Sequence, residues 1–190
     1  MKQTRLAESA HLFSGSGVTT RLRDGRSVTI RAATPRDAGD VSAMHVRCST
    51  ETVRHRYHSV PSMTGRFLSQ LLGTDIALVA QAPNRAVVAL ANLGRDDGDA
   101  GELAVIVEDA WQRAGLGATL LDQLVSMARL VGYREVYTVG LPGSQWYRRT
   151  LERHGRARFE RSDGYDAMRL ALSAPLARLP AELGATTAAA

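Results

Sequence analysis

The stretch from Leu103 to Val131 constrains the fold more than any other part of the chain. Leu103-Ala104-Val105-Ile106-Val107 is an unbroken apolar run, as expected of a central strand buried on both faces. It leads into Gln112-Arg113-Ala114-Gly115-Leu116-Gly117-Ala118 and then into a helix predicted to about Val131. In that helix Leu116, Leu120, Leu124 and Ala128 recur at i,i+4, thickened by Leu121 and Val125, and Gly132 is a natural stop. Gly115 and Gly117 have no Cβ, so a ligand can come close to the backbone. The amides there sit at a helix N-terminus, where the dipole favours an anion, and Arg113 adds a positive charge. A pyrophosphate is the natural guest.

Two familiar phosphate loops fail on the residues. A P-loop needs Gly-Lys-Ser/Thr, and no lysine follows a glycine loop here. A dinucleotide fingerprint needs Gly or Ala three residues after the second glycine, and that residue is Leu120.

The rest of the chain is consistent with one α/β domain. At 190 residues, with 44% hydrophobic and 23% charged residues, it can bury a core and is not a disordered chain. Val18–Arg23 and Ser27–Ala32 flank Asp24-Gly25, a hairpin signal. Thr34-Pro35-Arg36-Asp37 reads as a capped helix start, with a helix to about Arg47. Residues 49 to 73 are expected to be helical. Ile76–Gln81 and Val87–Leu93 bracket a turn at Pro83-Asn84, and Gly94–Gly101 reads as an acidic loop. Val136–Leu141 is a strand, and Ser144 is placed to cap a short helix ending near Gly155. Arg158–Arg161 and Tyr165–Leu172 form a last hairpin. The fold class is α/β (α+β): a mixed, mostly antiparallel sheet flanked by helices. Residues 1–17 read as a flexible N-terminal segment, 18–172 as the domain and 173–190 as a flexible Ala-rich tail. No apolar run approaches the ~20 residues of a membrane span, and Met1–Ser14 lacks a secretory apolar core, so a soluble, cytoplasmic protein is expected. Cys48 is the only cysteine, which excludes an intrachain disulfide and a Cys-based zinc site.

The segment Gln112-Arg113-Ala114-Gly115-Leu116-Gly117 after a strand resembles motif A of the GNAT superfamily of acyl-CoA-dependent N-acetyltransferases. The resemblance extends over roughly Val28 to Leu172 in the order of elements. Leu22–Arg31 and Thr34–Ala38 also look like the opening of the acetyltransferase domain of bacterial protein lysine acetyltransferases, and Ser49–Tyr57 like the Ser-rich to Arg-aromatic segment of that group. The resemblance implies acetyl-CoA as co-substrate. Val105, Ile106 and Val107 would bind the pantetheine amides through backbone groups, and Gln112, Arg113, Ala114, Gly115, Leu116, Gly117 and Ala118 would form the pyrophosphate loop. Ser144, where many relatives have Asn, would touch the cofactor arm. The acceptor would be a protein lysine or a small amine, and a homodimer is plausible on the same ground.

Acyl transfer to an amine needs a base. A lysine amine has a pKa of about 10.4, so only about one in 2,500 is neutral at pH 7. Glu102 is the candidate, matching the base of lysine-acetylating relatives, and burial beside apolar neighbours would raise its pKa. Glu108 and Asp109 read as solvent-facing loop carboxylates. Leu151 occupies the position where many relatives have a general-acid Tyr. Tyr147, one turn earlier, is either the acid or a packing residue under the sheet. A CoA thiolate leaves without one, by analogy with a cysteine thiol pKa of about 8.5.

Other candidates have plainer readings. His55 and His58 lack a third metal ligand, so no metal site is expected. His45 falls on an apolar face as a core histidine, Cys48 has no base beside it, and Trp111 is expected to pack on the glycine loop. Net charge is +5, and Lys2 is the only lysine. The densest basic run, Arg148, Arg149, Arg153, Arg156, Arg158 and Arg161, suits a CoA 3′-phosphate, an acidic protein, nucleic acid or a solvated face. No nucleic-acid motif accompanies it and aromatics are 5%, which argues against nucleic acid. The acidic loop Asp96-Asp97-Gly98-Asp99 would attract a polycation or simply be flexible. A non-catalytic acyl-CoA-binding or interaction module is the alternative to an enzyme.

Overall fold

The computed structural model describes residues 17–96, 100–142, 146–162 and 164–172. The expected N-terminal segment before Gly17, the tail after Leu172, residues 97–99 of the acidic loop and Ser144 lie outside the described residues.

Eight strands form one sheet: β1 (Val18–Arg21), β2 (Ser27–Ala32), β3 (Ile76–Gln81), β4 (Val87–Arg95), β5 (Ala100–Val107), β6 (Glu135–Gly140), β7 (Ala157–Ser162) and β8 (Tyr165–Ala171). Their order is β1-β2-β3-β4-β5-β6-β8-β7. Every neighbouring pair is antiparallel except β5 and β6. A parallel pair needs a crossover, and here it is a helix, α4 (Leu116–Val131).

The apolar stripe of α4 packs as its spacing requires. Leu116, Leu120, Leu121, Leu124, Val125 and Ala128 are all buried, against Leu103, Val136 and Leu170 among others. Each buried leucine contributes roughly 1.5–3 kcal/mol before chain entropy is offset. Gly132, at φ +90°, takes the left-handed cap that ends the helix. A short helix, α5 (Arg148–His154), lies at the end of the same layer. Its cap is Tyr147.

The opposite face carries α1 (Ala38–Arg47), α2 (Thr50–Tyr57) and α3 (Gly65–Leu72). Val41, Met44, Val53, Leu68 and Leu71 pack there on Val79, Leu90 and Ile106. The Asp37 carboxylate accepts from Thr34 N–H at 2.7 Å and from Arg31 at 2.9 Å, fixing the start of α1 to β2. The helical stretch expected over residues 49 to 73 is divided into two helices. Ser49 and Thr64 each cap a new one, accepting from Thr52 N–H and Phe67 N–H at 3.2 Å, and His58 at φ +57° ends α2. The loop after β4 is shorter than expected, because β4 runs to Arg95 and β5 begins at Ala100. No helix of the described residues is long and apolar enough to cross a membrane.

The expectation that β5 is buried on both faces fails over its C-terminal half. Pairing with β6 covers only Ala100↔Glu135, Gly101↔Val136 and Glu102↔Tyr137. Thr138, Val139 and Gly140 of β6 pair with β8 alone. The two central strands therefore diverge beyond Glu102, leaving Ala104, Val105 and Val107 half-buried along a V-shaped gap.

Candidate active site

The gap opens into a cleft of about 620 Å³. Ala104 to Val107 form one wall, Thr138 to Gly140 the other, and the glycine loop closes one end. Glu102 marks the apex, about 17 Å up the strand from Val107 at 3.3–3.4 Å per residue.

Register decides which peptide groups face the gap. Glu108 N–H donates to Val88 at 2.9 Å, so the hydrogen-bonded pairs with β4 continue as Leu90↔Ile106 and Asn92↔Ala104. Ile106 thus has its backbone spent on β4 and its side chain buried in the core beneath α1, so it is not the backbone ligand expected from sequence. Val105 and Val107 turn their N–H and C=O groups into the gap. The Val107 carbonyl is already taken, because Gln112 Nε2 donates to it at 3.0 Å and to Thr52 Oγ1 at 2.9 Å. Gln112 is a staple between loop, strand and helix.

Asp109 is part of the same joint. Its carboxylate accepts from Ser49 N–H at 2.8 Å, Ser49 Oγ at 2.7 Å and Thr52 Oγ1 at 2.9 Å. Burial opposes its charge, but these bonds prevail and hold its pKa below the usual carboxylate range. Glu108 accepts from Arg47 at 2.9 Å. Both carboxylates therefore tie the end of β5 to the helices, Asp109 while exposed as expected and Glu108 half-buried.

The glycine loop alternates handedness. Arg113 at φ +59° and Gly115 at φ +91° are left-handed, and the Ala114 carbonyl accepts from Arg23 N–H at 3.0 Å. A Cβ on Gly115 would lie 3.2 Å from Arg23 Nε, and one on Gly117 would lie 3.4 Å from the Trp146 ring. Leu116 and Ala114 bury their side chains, so they offer only main-chain groups. Among the described residues, no acceptor takes the N–H groups of Leu116, Gly117 or Ala118. Arg23 and Arg113 line the cleft beside them and have no ion-pair partner among the described residues. Arg23 and Trp146 were not singled out in the sequence. Arg23 belongs to a hairpin far away in the chain, and only the Arg-Asp-Gly turn that positions it was legible.

Glu102 lines the cleft but is exposed, contrary to the expected burial. It lies on the face of β5 that carries α2, open to the gap where β6 leaves. Arg56 and His58, at the end of α2, feel its charge. Tyr147 is buried, with its hydroxyl directed at the Asp166 carbonyl at 3.4 Å, and burial raises its pKa. That is the packing arrangement of the two expected from sequence.

The plainer residues fall as follows. His45 is buried, with Nδ1 2.7 Å from the Val41 carbonyl and Nε2 2.7 Å from Tyr57 Oη. Nδ1–H donates, so Nε2 accepts from the tyrosine. Burial, with the charges of Asp109 and Glu108, pushes the Cys48 thiol up to about 12, which removes it as a nucleophile. Trp111 is half-buried against the core cluster that includes Ala114 and Leu116, and Arg26 covers its ring, the guanidinium 4.2 Å from the centroid. Four arginines of the basic run are paired: Arg148 with Glu152, Arg153 with Asp122, Arg158 with Glu135 and Arg161 with Asp166. No group of three or more His, Cys, Asp or Glu among the described residues could hold a metal ion.

No protein-family model matches the sequence. Solved structures match the fold. The GNAT domain of S. lividans PAT superposes with TM-score 0.71 at 22% identity, covering 82% of this chain and 96% of that one. A GNAT superfamily phosphinothricin acetyltransferase from Sinorhizobium meliloti, in complex with AcCoA, gives 0.62 at 17%, covering 81% and 96%. The ribosomal-protein-S18-alanine N-acetyltransferase of Escherichia coli gives 0.56 at 19%, covering 80% and 98%. The chain has the GNAT fold.

Proposed function

We propose that the chain is an acetyl-CoA-dependent N-acetyltransferase acting on a lysine amine of a protein, with Glu102 as general base. The observation that carries this reading is the gap between β5 and β6, which joins an unfilled set of helix N-terminal amides at one end to a carboxylate at the other. The residues present fit the co-substrate. Val105 and the Val107 N–H would hold the amides of its arm, and Leu116, Gly117 and Ala118 N–H, with Arg113 and Arg23, its pyrophosphate. When bound, acetyl-CoA supplies an acyl group activated as a thioester.

The chain's own residues then have three tasks. The strand and loop fix the thioester in the gap, so that an incoming amine meets it in line. A Val105 N–H directed into the gap can donate to the carbonyl oxygen as it gains charge. Glu102 accepts the proton that a lysine ammonium must lose before it attacks. Tyr147 carries no proton in this scheme, since its hydroxyl is already engaged.

A small-molecule amine is the second reading for the acceptor, favoured by the likeness to a phosphinothricin acetyltransferase. Rates on a protein extract and on a panel of small amines separate the two. Glu102→Gln should lower transfer by about 100-fold or more while leaving acetyl-CoA affinity unchanged. Equal rates for wild type and variant across pH 6–9 would remove Glu102 from the mechanism.

A further inference from the structure

The acceptor end of the cleft holds more charge than a base requires. Arg56, on α2, lines the cleft with Glu102. Its guanidinium is held 4.6 Å from the Tyr57 ring centroid. Its Nε is buried without a hydrogen-bond partner, and among the described residues no carboxylate lies within 4.0 Å of it. The described residues contain three such orphaned side-chain atoms, Arg56 Nε, His58 Nε2 and Asn92 Oδ1. Two of the three, on Arg56 and His58, belong to residues that feel the charge of Glu102. The His58 ring lies 4.6 Å from that of Tyr165.

A buried guanidinium donor without an acceptor is costly, and more so because the group stays charged at every working pH. A bare cation approaching Glu102 would also meet the repulsion of Arg56. One kind of guest suits both charges: an acceptor that presents its ammonium to Glu102 and an oxyanion, within reach of it, to the cleft-lining guanidinium of Arg56. We infer that Arg56 is the receptor for an anionic group of the acceptor, and that the preferred acceptor is a lysine flanked by an aspartate or glutamate. The inference rests on the acetyltransferase reading of the same cleft. It disfavours polycationic acceptors, since a guanidinium that cannot be discharged stands beside the base.

The test uses the full chain with unacetylated CoA present, so that nothing can be transferred. Three peptides of equal length, with the central lysine flanked by aspartate, alanine or arginine, are titrated calorimetrically. The aspartate peptide should bind at least tenfold more tightly than the alanine peptide, and the arginine peptide most weakly. Arg56→Gln should bring the three within about twofold, Arg56→Lys should retain part of the preference, and both variants should keep wild-type CoA affinity. Equal binding of the three peptides by wild type, binding of none, or a preference that survives Arg56→Gln would overturn the inference. With acetyl-CoA in place of CoA, the preference should appear in KM, with kcat nearly unchanged in Arg56→Gln. An aspartate peptide that binds through Arg56 and is not acetylated would sink the lysine-acetyltransferase reading and leave the anion site standing.

Discussion

Arg23 and Arg113, which have no ion-pair partner among the described residues, bring two guanidinium groups to one glycine loop from different parts of the chain. Charge-assisted bonds to a phosphate are among the stronger polar contacts, so Arg23→Ala or Arg113→Ala should each weaken acetyl-CoA binding about tenfold at low salt. The loss should shrink at high salt, where exposed charges are screened. Unchanged affinity in both variants would contradict the assigned cradle. Single residues were unevenly legible in the sequence. Arg113 and Gly115 could be read because local spacing alone sets a strand, a turn and a helix start. Arg23 could not, because its approach to Gly115 depends on how the β1–β2 hairpin folds against the loop. Glu102 was legible as a residue but not in its environment. Its exposure follows from where β6 stops pairing, which no local pattern encodes.

Elements were legible where periodicity was strong. The stripe of α4 and the hairpins at Asp24-Gly25 and Pro83-Asn84 need only neighbouring residues to specify them. The division of residues 49 to 73 was missed because each helix there is eight residues long, too short for a clear period. What secures α2 is a tertiary joint, the Asp109 carboxylate on Ser49 and Thr52. Asp109→Ala should cost about 1–2 kcal/mol, read as a fall in Tm of about 2–6 °C. Because α2 also carries Arg56, the variant should raise KM for the acceptor more than it weakens CoA binding. A variant with wild-type Tm and wild-type KM would show that the joint carries no weight. Gly115→Ala is a separate case: a left-handed φ of +91° and a neighbour at 3.2 Å should destabilise the loop by about 1–2 kcal/mol.

For the whole molecule, acid should act in two stages. His45 is held neutral by burial, its pKa pushed below 6.5 despite the Val41 carbonyl. The unfolded chain therefore takes up that proton first, and stability falls as pH drops below about 6.5. The carboxylates act lower. Asp37 is depressed below 3.8 by its bonds with Arg31, and Asp109 by Ser49 and Thr52, which outweigh burial. Their stabilisation is present above about pH 3.8 and is lost as pH falls through their lower folded values. Thermal melts from pH 7.5 to 2.5 should show both declines, with His45→Gln flattening the upper one and Asp37→Asn reducing the lower. A single decline below pH 4 would contradict the buried neutral histidine. The three layers themselves were predictable, since alternating strands and helices around one apolar strand leave few arrangements that bury both faces. The gap was not, because it is a failure of pairing inside an otherwise continuous sheet. That gap is the centre of the account, and calorimetric titration of acetyl-CoA into wild type and Gly115→Glu tests it most directly. Wild type should bind with micromolar affinity and the variant, whose carboxylate would enter the amide cradle, not at all; no binding by wild type, or equal binding by both, would mean that the gap is not a cofactor site.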